Sequence, residues 1–291
     1  MKKKNLIRLL MIAVFLAAFA CYKQYDALKT DNAAPVISFD DSQLLEISVK
    51  DPKTALLQGV TAKDERDGDV SGKLVVENMQ LVDTSGLIEV GYAVTDNSGN
   101  VAKTVRKVQY TDYQSPKFGL RKALIYEVGD DFDIMADAYA TDVIDGDIQH
   151  RIRTTAVTGG TITKEGLHKV HFQVTNSLGD MMEIIVPVEV LERGYYPAEL
   201  ELTDYMIYLP LNSVFMPKNY LGSFTHKLET IEMDGKLPRD FVLETAGSVD
   251  TGIPGVYTVE YRVTRIVRHE TNPDFDQEFT GYSRLIVVVE G

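Results

Sequence analysis

Gly86 to Thr95 reads GLIEVGYAVT, and the same ten-residue pattern returns as GLHKVHFQVT at Gly166 to Thr175 and as GVYTVEYRVT at Gly255 to Thr264. Apolar and polar residues alternate with period two, which is how a β-strand with one buried face is written. The alternation turns Ile88, Val90, Tyr92 and Val94 inward, and Glu89, Gly91 and Ala93 outward. The second copy turns His168, Val170, Phe172 and Val174 inward, and the third Tyr257, Val259, Tyr261 and Val263. Each copy has one aromatic at the same inward place, so the segment is a core strand and not a ligand site used three times.

The copies start 80 and 89 residues apart, at Gly86, Gly166 and Gly255. A second landmark, Pro35 in APVISF, Pro116 in SPKFGL and Pro197 in YPAELEL, recurs at 81 and 81. Two unrelated landmarks with nearly the same period mark three copies of one domain. After the first copy comes Asp96-Asn97-Ser98-Gly99-Asn100, rich in residues that accept tight turns, and then a second strand, VAKTVRKVQY. The second copy continues likewise, with Asn176-Ser177-Leu178-Gly179-Asp180 and MMEIIVPVEV. The third has RIVRHETNPDFDQEFTGYSR before LIVVVE, which predicts a longer hairpin with Asn272-Pro273-Asp274 near its tip.

Beyond residue 24 no stretch sustains a 3.6-residue period. About seven short strands per repeat, separated by turn signals, is the pattern of a β-sandwich. The expected organisation is all-β: a signal or anchor segment at 1–21, a linker at 22–33, and three immunoglobulin-like domains at 34–111, 112–193 and 194–291. The links YTDYQSP and LERGYYP are short and carry Pro, which predicts a rod with restricted bending.

The chain carries 43 acidic and 30 basic residues, a net charge of −13. Four of the basic residues, Lys2, Lys3, Lys4 and Arg8, lie in the acid-free N-terminal segment, and their removal takes the net charge to −17. Such a surface repels DNA, RNA and anionic headgroups, which excludes nucleic acid as a partner. The opening MKKKNLIRLLMIAVFLAAFACYKQ has the charged start, uncharged run and small residues of a secretory signal. Ala18-Phe19-Ala20-Cys21 resembles a bacterial lipobox, which implies lipidation at Cys21; the position three before the cysteine, usually Leu, is Ala18. An ordinary small-x-small cleavage site and an uncleaved helix over Leu6–Tyr22 are the competing readings. All three put the rest of the chain outside the cytoplasmic membrane. Cys21 is the single cysteine, so no intrachain disulfide forms.

Asp64-Glu65-Arg66-Asp67-Gly68-Asp69 is echoed by Asp142-Val143-Ile144-Asp145-Gly146-Asp147 and, in the third unit, by Asp234-Gly235-Lys236. Asp64, Asp67 and Asp69, like Asp142, Asp145 and Asp147, could wrap a Ca²⁺ ion, which takes six to eight oxygens. The preferred reading is a tight turn in which the aspartates cap backbone N–H groups and Gly supplies the unusual φ, with no cofactor. The motif A-x-D-x-x-D-G-D-[VI] followed by G-x-x-x-V-x-Y-x-V-T-D-N-S-G-N resembles the bacterial surface Ig-like domains found in tandem on exported proteins, related in architecture to hyalin-repeat and cadherin-like sandwiches. The first unit matches throughout, the second carries Asn176 in place of the turn Asp, and the third matches only in its repeated strand. The resemblance implies a sandwich on the cell surface and no particular activity.

No nucleophile elbow, P-loop, H-E-x-x-H or dinucleotide fingerprint is present. His168 and His171 lie three apart on a strand and face opposite sides, so they do not share a metal. The expectation is a non-enzymatic protein in which two domains form a stalk and the divergent third presents a surface to a protein or glycan. The alternatives are a carbohydrate-binding accessory lipoprotein and a structural spacer. The third unit concentrates aromatics, from which Tyr205, Tyr208, Tyr220 and Phe224 are the candidate contact residues, with core filling as the competing role. Met216 to Phe224, MPKNYLGSF, is its expected inserted loop.

Overall fold

Helix α1 (Lys2–Lys29) opens the chain, and no Gly or Pro interrupts it. It therefore continues into the stretch expected to be a linker. Its segment Ile7–Tyr25, 19 residues, is long and apolar enough to cross a membrane. The structure is a computed structural model and describes residues 2–29, 31–157, 162, 164–269 and 276–291. Two compact units follow from its contacts, residues 1–113 and 114–291.

The first unit contains seven strands: β1 (Val36–Ser38), β2 (Leu45–Ile47), β3 (Thr61–Asp64), β4 (Gly68–Asp69), β5 (Val75–Leu81), β6 (Leu87–Thr95) and β7 (Val101–Tyr110). They form two sheets, β1-β3-β4 and β2-β7-β6-β5, a β-sandwich as the alternation predicts. β6 and β7 make the expected hairpin, while β2 runs parallel to β7. Ile88, Val90, Tyr92 and Val94 of β6 are each no more than 1% exposed. Tyr92 places its hydroxyl in this core by donating to the Leu56 carbonyl at 2.6 Å, which satisfies the one polar atom it buries.

The second unit begins with the same plan. Its strands β8 (Lys117–Leu120), β9 (Ile125–Glu127), β10 (Ala138–Asp142), β11 (Gly146–Asp147), β12 (Arg153–Ala156), β13 (Gly166–Thr175) and β14 (Met181–Leu191) form sheets β11-β10-β8 and β12-β13-β14-β9. β9 again runs parallel to the last strand, β14. A one-turn helix α2 (Ile134–Asp137) is capped by Asp133, whose Oδ1 accepts from the Met135 N–H. Val170, Phe172 and Val174 are buried, and half-buried His168 contacts the Lys164 carbonyl through Nε2 at 2.7 Å.

The remaining strands are β15 (Ala198–Leu202), β16 (Met206–Leu209), β17 (Leu221–His226), β18 (Glu229–Glu232), β19 (Phe241–Ala246), β20 (Gly255–Val267) and β21 (Gln277–Val289). The long hairpin is present, with thirteen residues in each of β20 and β21; its expected tip, Asn272-Pro273-Asp274, lies outside the described residues. Unlike the other two sets, these strands join into one seven-stranded sheet. The junction is β15, which pairs with β17 on one side and with Gly281 and Tyr282 of β21 on the other. The segment MPKNYLGSF is a loop only in part, since Leu221 to Phe224 belong to β17 and Leu221 and Phe224 are fully buried.

The second unit has two hydrophobic cores that share one wall. Leu285, Val287 and Val289 of β21 face the core of the last sandwich, while Ile286 and Val288 face the core built by β8 to β14. Met206 and Tyr208 of β16 face the same way as Ile286 and Val288, and Ile207 and Leu209 face the last core. A strand apolar at every position is what burial on both faces requires. Residues 114–193 and 194–291 therefore meet through packed side chains as well as through the short LERGYYP link.

Candidate functional site

The two acidic turns act as braces. In the first, Asp64 Oδ1 accepts from the Arg66 and Asp67 N–H groups at 2.8 Å each, and Asp69 Oδ1 accepts from the Ser71 N–H at 2.9 Å. Asp67 reaches across to the hairpin turn, where its Oδ2 accepts from the Asn97 N–H at 2.6 Å. The second repeats this with different residues: Asp142 Oδ1 accepts from Ile144 and Asp145, Asp147 Oδ1 from Gln149, and Asp145 Oδ2 from the Ser177 N–H at 2.6 Å. Asp145 also pairs with Arg151 at 2.6 Å. Gly68 and Gly146 close these turns at φ +76° and +72°, a conformation that a side chain would strain. In each set the middle and last aspartates are spent on separate backbone groups. Among the described residues the three carboxylates of one motif do not converge, which counts against the calcium alternative at Asp64, Asp67 and Asp69 or at Asp142, Asp145 and Asp147.

A different set does converge in the first unit. Asp31, Asp64 and Asp96 each bring one carboxylate oxygen within 4.8 Å of the others. Asp31 precedes β1, Asp64 ends β3 and Asp96 opens the β6–β7 turn, so spacing along the chain gave no sign of the group. Hydrogen bonds hold Asp96 in place: its Oδ1 accepts from the Ser98 and Asn100 N–H groups at 2.8 Å each. Burial pushes the Asp96 carboxyl up, but these hydrogen bonds outweigh it and leave the pKa below the ordinary carboxylate value.

The third counterpart of the motif is not Asp234-Gly235-Lys236. Val70 N–H donates to Ala62 O and Ile148 N–H to Ala140 O; the matching bond in the last sandwich runs from Met233 N–H to Gly222 O. That register aligns Asp64 and Asp142 with Phe224. The hairpin there is longer, with Phe224 opposite Ile231, and Asp234 comes after its second strand. An Asp-Gly pair marks any tight turn, which is why the sequence suggested the wrong one.

The aromatic candidates are committed to packing. Phe224 is 0% exposed and meets Phe241 edge-on, centroids 5.1 Å apart, so it presents nothing to a partner. Tyr220 stacks on Phe215 at 5.7 Å. Tyr205 is half-buried against both cores of the second unit. Tyr208 lies where the two sandwiches meet, with its hydroxyl accepting from the Phe118 N–H at 2.8 Å, and burial pushes its pKa up to about 12.

The surface feature that sequence reasoning missed is a groove of about 740 Å³ within the second unit, lined by Leu167, Ile185, Pro187 and Val256, with Arg284 and Glu260. Leu167, Ile185 and Val256 are 58%, 49% and 45% exposed. Leu167 and Val256 occupy outward positions in strands whose outward residues are otherwise mostly polar, and the outward face of β14 carries Met181, Pro187 and Leu191 besides Ile185, a departure that was available in the sequence. Arg284, 3% exposed, pairs with Glu189 at 2.5 Å and Glu260 at 3.2 Å, joining β14, β20 and β21 beside the groove. Nearby, exposed Tyr195 meets Tyr196 edge-on at 4.8 Å, and Tyr196 stacks on Tyr282 at 5.0 Å.

No family model matches the chain. A pesticidal crystal protein, Cry22Aa of Bacillus thuringiensis, is 27% identical over 222 residues, covering 73% of this chain and 28% of that protein. An uncharacterised 81.3 kDa protein of Acholeplasma phage L2 is 31% identical over 143 residues, covering 45% of this chain and 19% of that protein. The chain thus spans less than a third of either relative's length. Among solved structures, Drosophila N-cadherin EC1-4 aligns with 89% of this chain and 76% of its own at 14% identity and a TM-score of 0.25. A structure of CBM51-2 and INT domains from Clostridium perfringens ZmpB aligns with 88% of this chain and 44% of its own, at 14% identity and a TM-score of 0.22. With TM-scores this low, the fold rests on the sheets described above.

Proposed function

We propose that the chain is a non-enzymatic protein of the bacterial surface Ig-like type, held at the outside of the cytoplasmic membrane by its N-terminal segment, with lipid on Cys21. Its second unit binds a protein partner along the groove lined by Leu167, Ile185 and Val256. The carrying observation is that outward apolar side chains gather there while the third sandwich's Tyr205, Tyr208, Tyr220 and Phe224 are spent in packing. An exposed apolar patch of this kind suits a protein interface, whereas sugar stacking needs free aromatic faces. The exposed Tyr195, next to Tyr196 and Glu165, supports a glycan as the second reading.

The test uses the chain lacking its first 21 residues, screened against immobilised extracellular matrix proteins and a glycan array. The second unit is kept whole, since separating its last sandwich would uncover Ile286, Val288 and Tyr208. Binding to a protein that is lost in a Leu167→Lys, Ile185→Lys, Val256→Lys variant supports the proposal. Glycan binding that survives those changes and is lost in Tyr195→Ala moves the function to the second reading, and binding to neither leaves a spacer.

A further inference from the structure

The first and second sandwiches differ at both ends of the hairpin turn in an otherwise similar brace: Asp96 and Asn100 of the first stand where the second has Asn176 and Asp180. Asp142 Oδ1 accepts two backbone N–H groups, and its Oδ2 accepts the Nδ2–H of Asn176, the first residue of the hairpin turn, at 3.0 Å. Asp64 makes the same two backbone bonds, but the residue at the matching turn position is Asp96, which has no N–H in its side chain to give. Asp64 is 6% exposed, and its Oδ2 is buried without a partner. Asp31 arrives from the segment before β1, tied to the same turn by the Asn100 Nδ2–H donated to its carbonyl at 3.1 Å, and its Oδ2 is likewise buried without a partner. Three carboxylates thus crowd within 4.8 Å, two of them with a buried oxygen that no protein donor among the described residues satisfies. Buried anionic oxygens in this arrangement are strongly unfavourable unless a cation lies among them.

We propose that Asp31, Asp64 and Asp96 bind one hard divalent cation, Ca²⁺ by the all-oxygen character and three charges of the set, with water and backbone carbonyls completing its shell. Asp67 and Asp69 are not ligands, because their oxygens serve Asn97 and Ser71. The ion clamps the entry segment, the end of β3 and the β6–β7 turn of the first sandwich. The other sandwiches make the contrast. The second neutralises the position with the Asn176 amide, and the third has Phe224 and, in the place of Asp96, Arg265, which pairs with Glu229 and Asp240.

The experiment is a calorimetric titration of chelator-stripped chain lacking its first 21 residues with CaCl₂, alongside thermal unfolding with and without the ion. The key variant is Asp96→Asn, which supplies at that position the amide that Asn176 gives to Asp142 in the second sandwich; Asp31→Asn is the second. The expected result is one equivalent of Ca²⁺ bound with a Kd on the order of 10⁻³ M or tighter, as in extracellular modules. Binding should weaken at least about tenfold in either variant, and the calcium-dependent rise in Tm should vanish. Failure of Ca²⁺ to saturate the protein up to about ten times that Kd, or binding that neither variant weakens, overturns the proposal.

Discussion

If β21 is a wall common to two cores, truncating its far-side residues must loosen a sandwich to which they do not belong by sequence. Ile286 is 2% exposed and packs with Phe172, Val186 and their neighbours in the second sandwich's core. Ile286→Ala removes most of a buried side chain and leaves a cavity, at a cost of about 2–5 kcal/mol. The second unit contains 178 residues, from 114 to 291, for which about 2–4 °C of Tm is lost per kcal/mol, so the expected fall is roughly 4–20 °C. Hydrogen exchange read by mass spectrometry identifies where the loss falls. Amides of Gly166–Thr175 and Met181–Leu191 should lose protection in Ile286→Ala, although the substitution lies about a hundred residues away. Val287→Ala, pointing into the other core, is the control, and its effect should centre on β15, β17 and β20. Should β13 and β14 keep full protection in Ile286→Ala while β20 and β21 open, the wall is not shared and the two sandwiches are independent.

Arg284→Ala leaves Glu189 and Glu260 without their cation beside the groove and should destabilise the second unit by about 3–5 kcal/mol, whereas a variant that replaces all three, Arg284→Met with Glu189→Gln and Glu260→Gln, should recover much of that; urea midpoints compare them. Tyr261→Phe deletes a hydroxyl that donates to the Pro217 carbonyl at 3.1 Å and should cost about 1 kcal/mol, measured by the same unfolding curve. Burial pushes the Asp145 carboxyl up, but hydrogen bonds from Ser177 and Arg151 outweigh it and hold its pKa below the ordinary carboxylate value. A depressed folded-state pKa stabilises above the unfolded value near about 4, and that stability is lost as pH falls through the folded value. Asp145→Asn should therefore flatten the acid limb of the stability profile below about pH 4, and an unchanged limb would count against the brace. Palmitate labelling of cells expressing the full chain should tag the wild type and not Cys21→Ala; a tag on both, or on neither, removes the lipid anchor.

The core strands could be read from sequence because each has one wet face. Val90, Tyr92 and Val94 alternate with residues that tolerate water, and burial follows the alternation except at Gly91, which is buried with Asn78 lying against it. The shared wall was also written in the chain: Leu285 to Val289 is an unbroken apolar run, which in a strand means two dry faces. It passed as the ordinary final strand of a domain because periodicity says which faces are buried and not what buries them. Pro217, Asn219 and Gly222 point to a loop around Phe224, yet long-range pairing with Ile231 places it in a strand. The Asp31, Asp64 and Asp96 group could not be read at all, since its members are 33 and 32 residues apart and meet only when β1, β3 and β6 are assembled.

One arrangement recurs in all three sandwiches: a short early strand lies parallel to the last one, β2 with β7, β9 with β14 and β16 with β21. A pull on the two ends of any one sandwich drags these partners in opposite directions along their length. All the hydrogen bonds between them are then loaded together in shear, whereas an antiparallel pair pulled from its open end comes apart one bond at a time. The pairs span three, three and four residue positions, so the last, in the sandwich with the continuous sheet, has the most bonds to break at once. Under tension, rupture would be governed by the rate of crossing that barrier rather than by equilibrium stability. For a protein fixed at one end and gripped at the other, mechanical strength is then a property of pairings only three or four residues long.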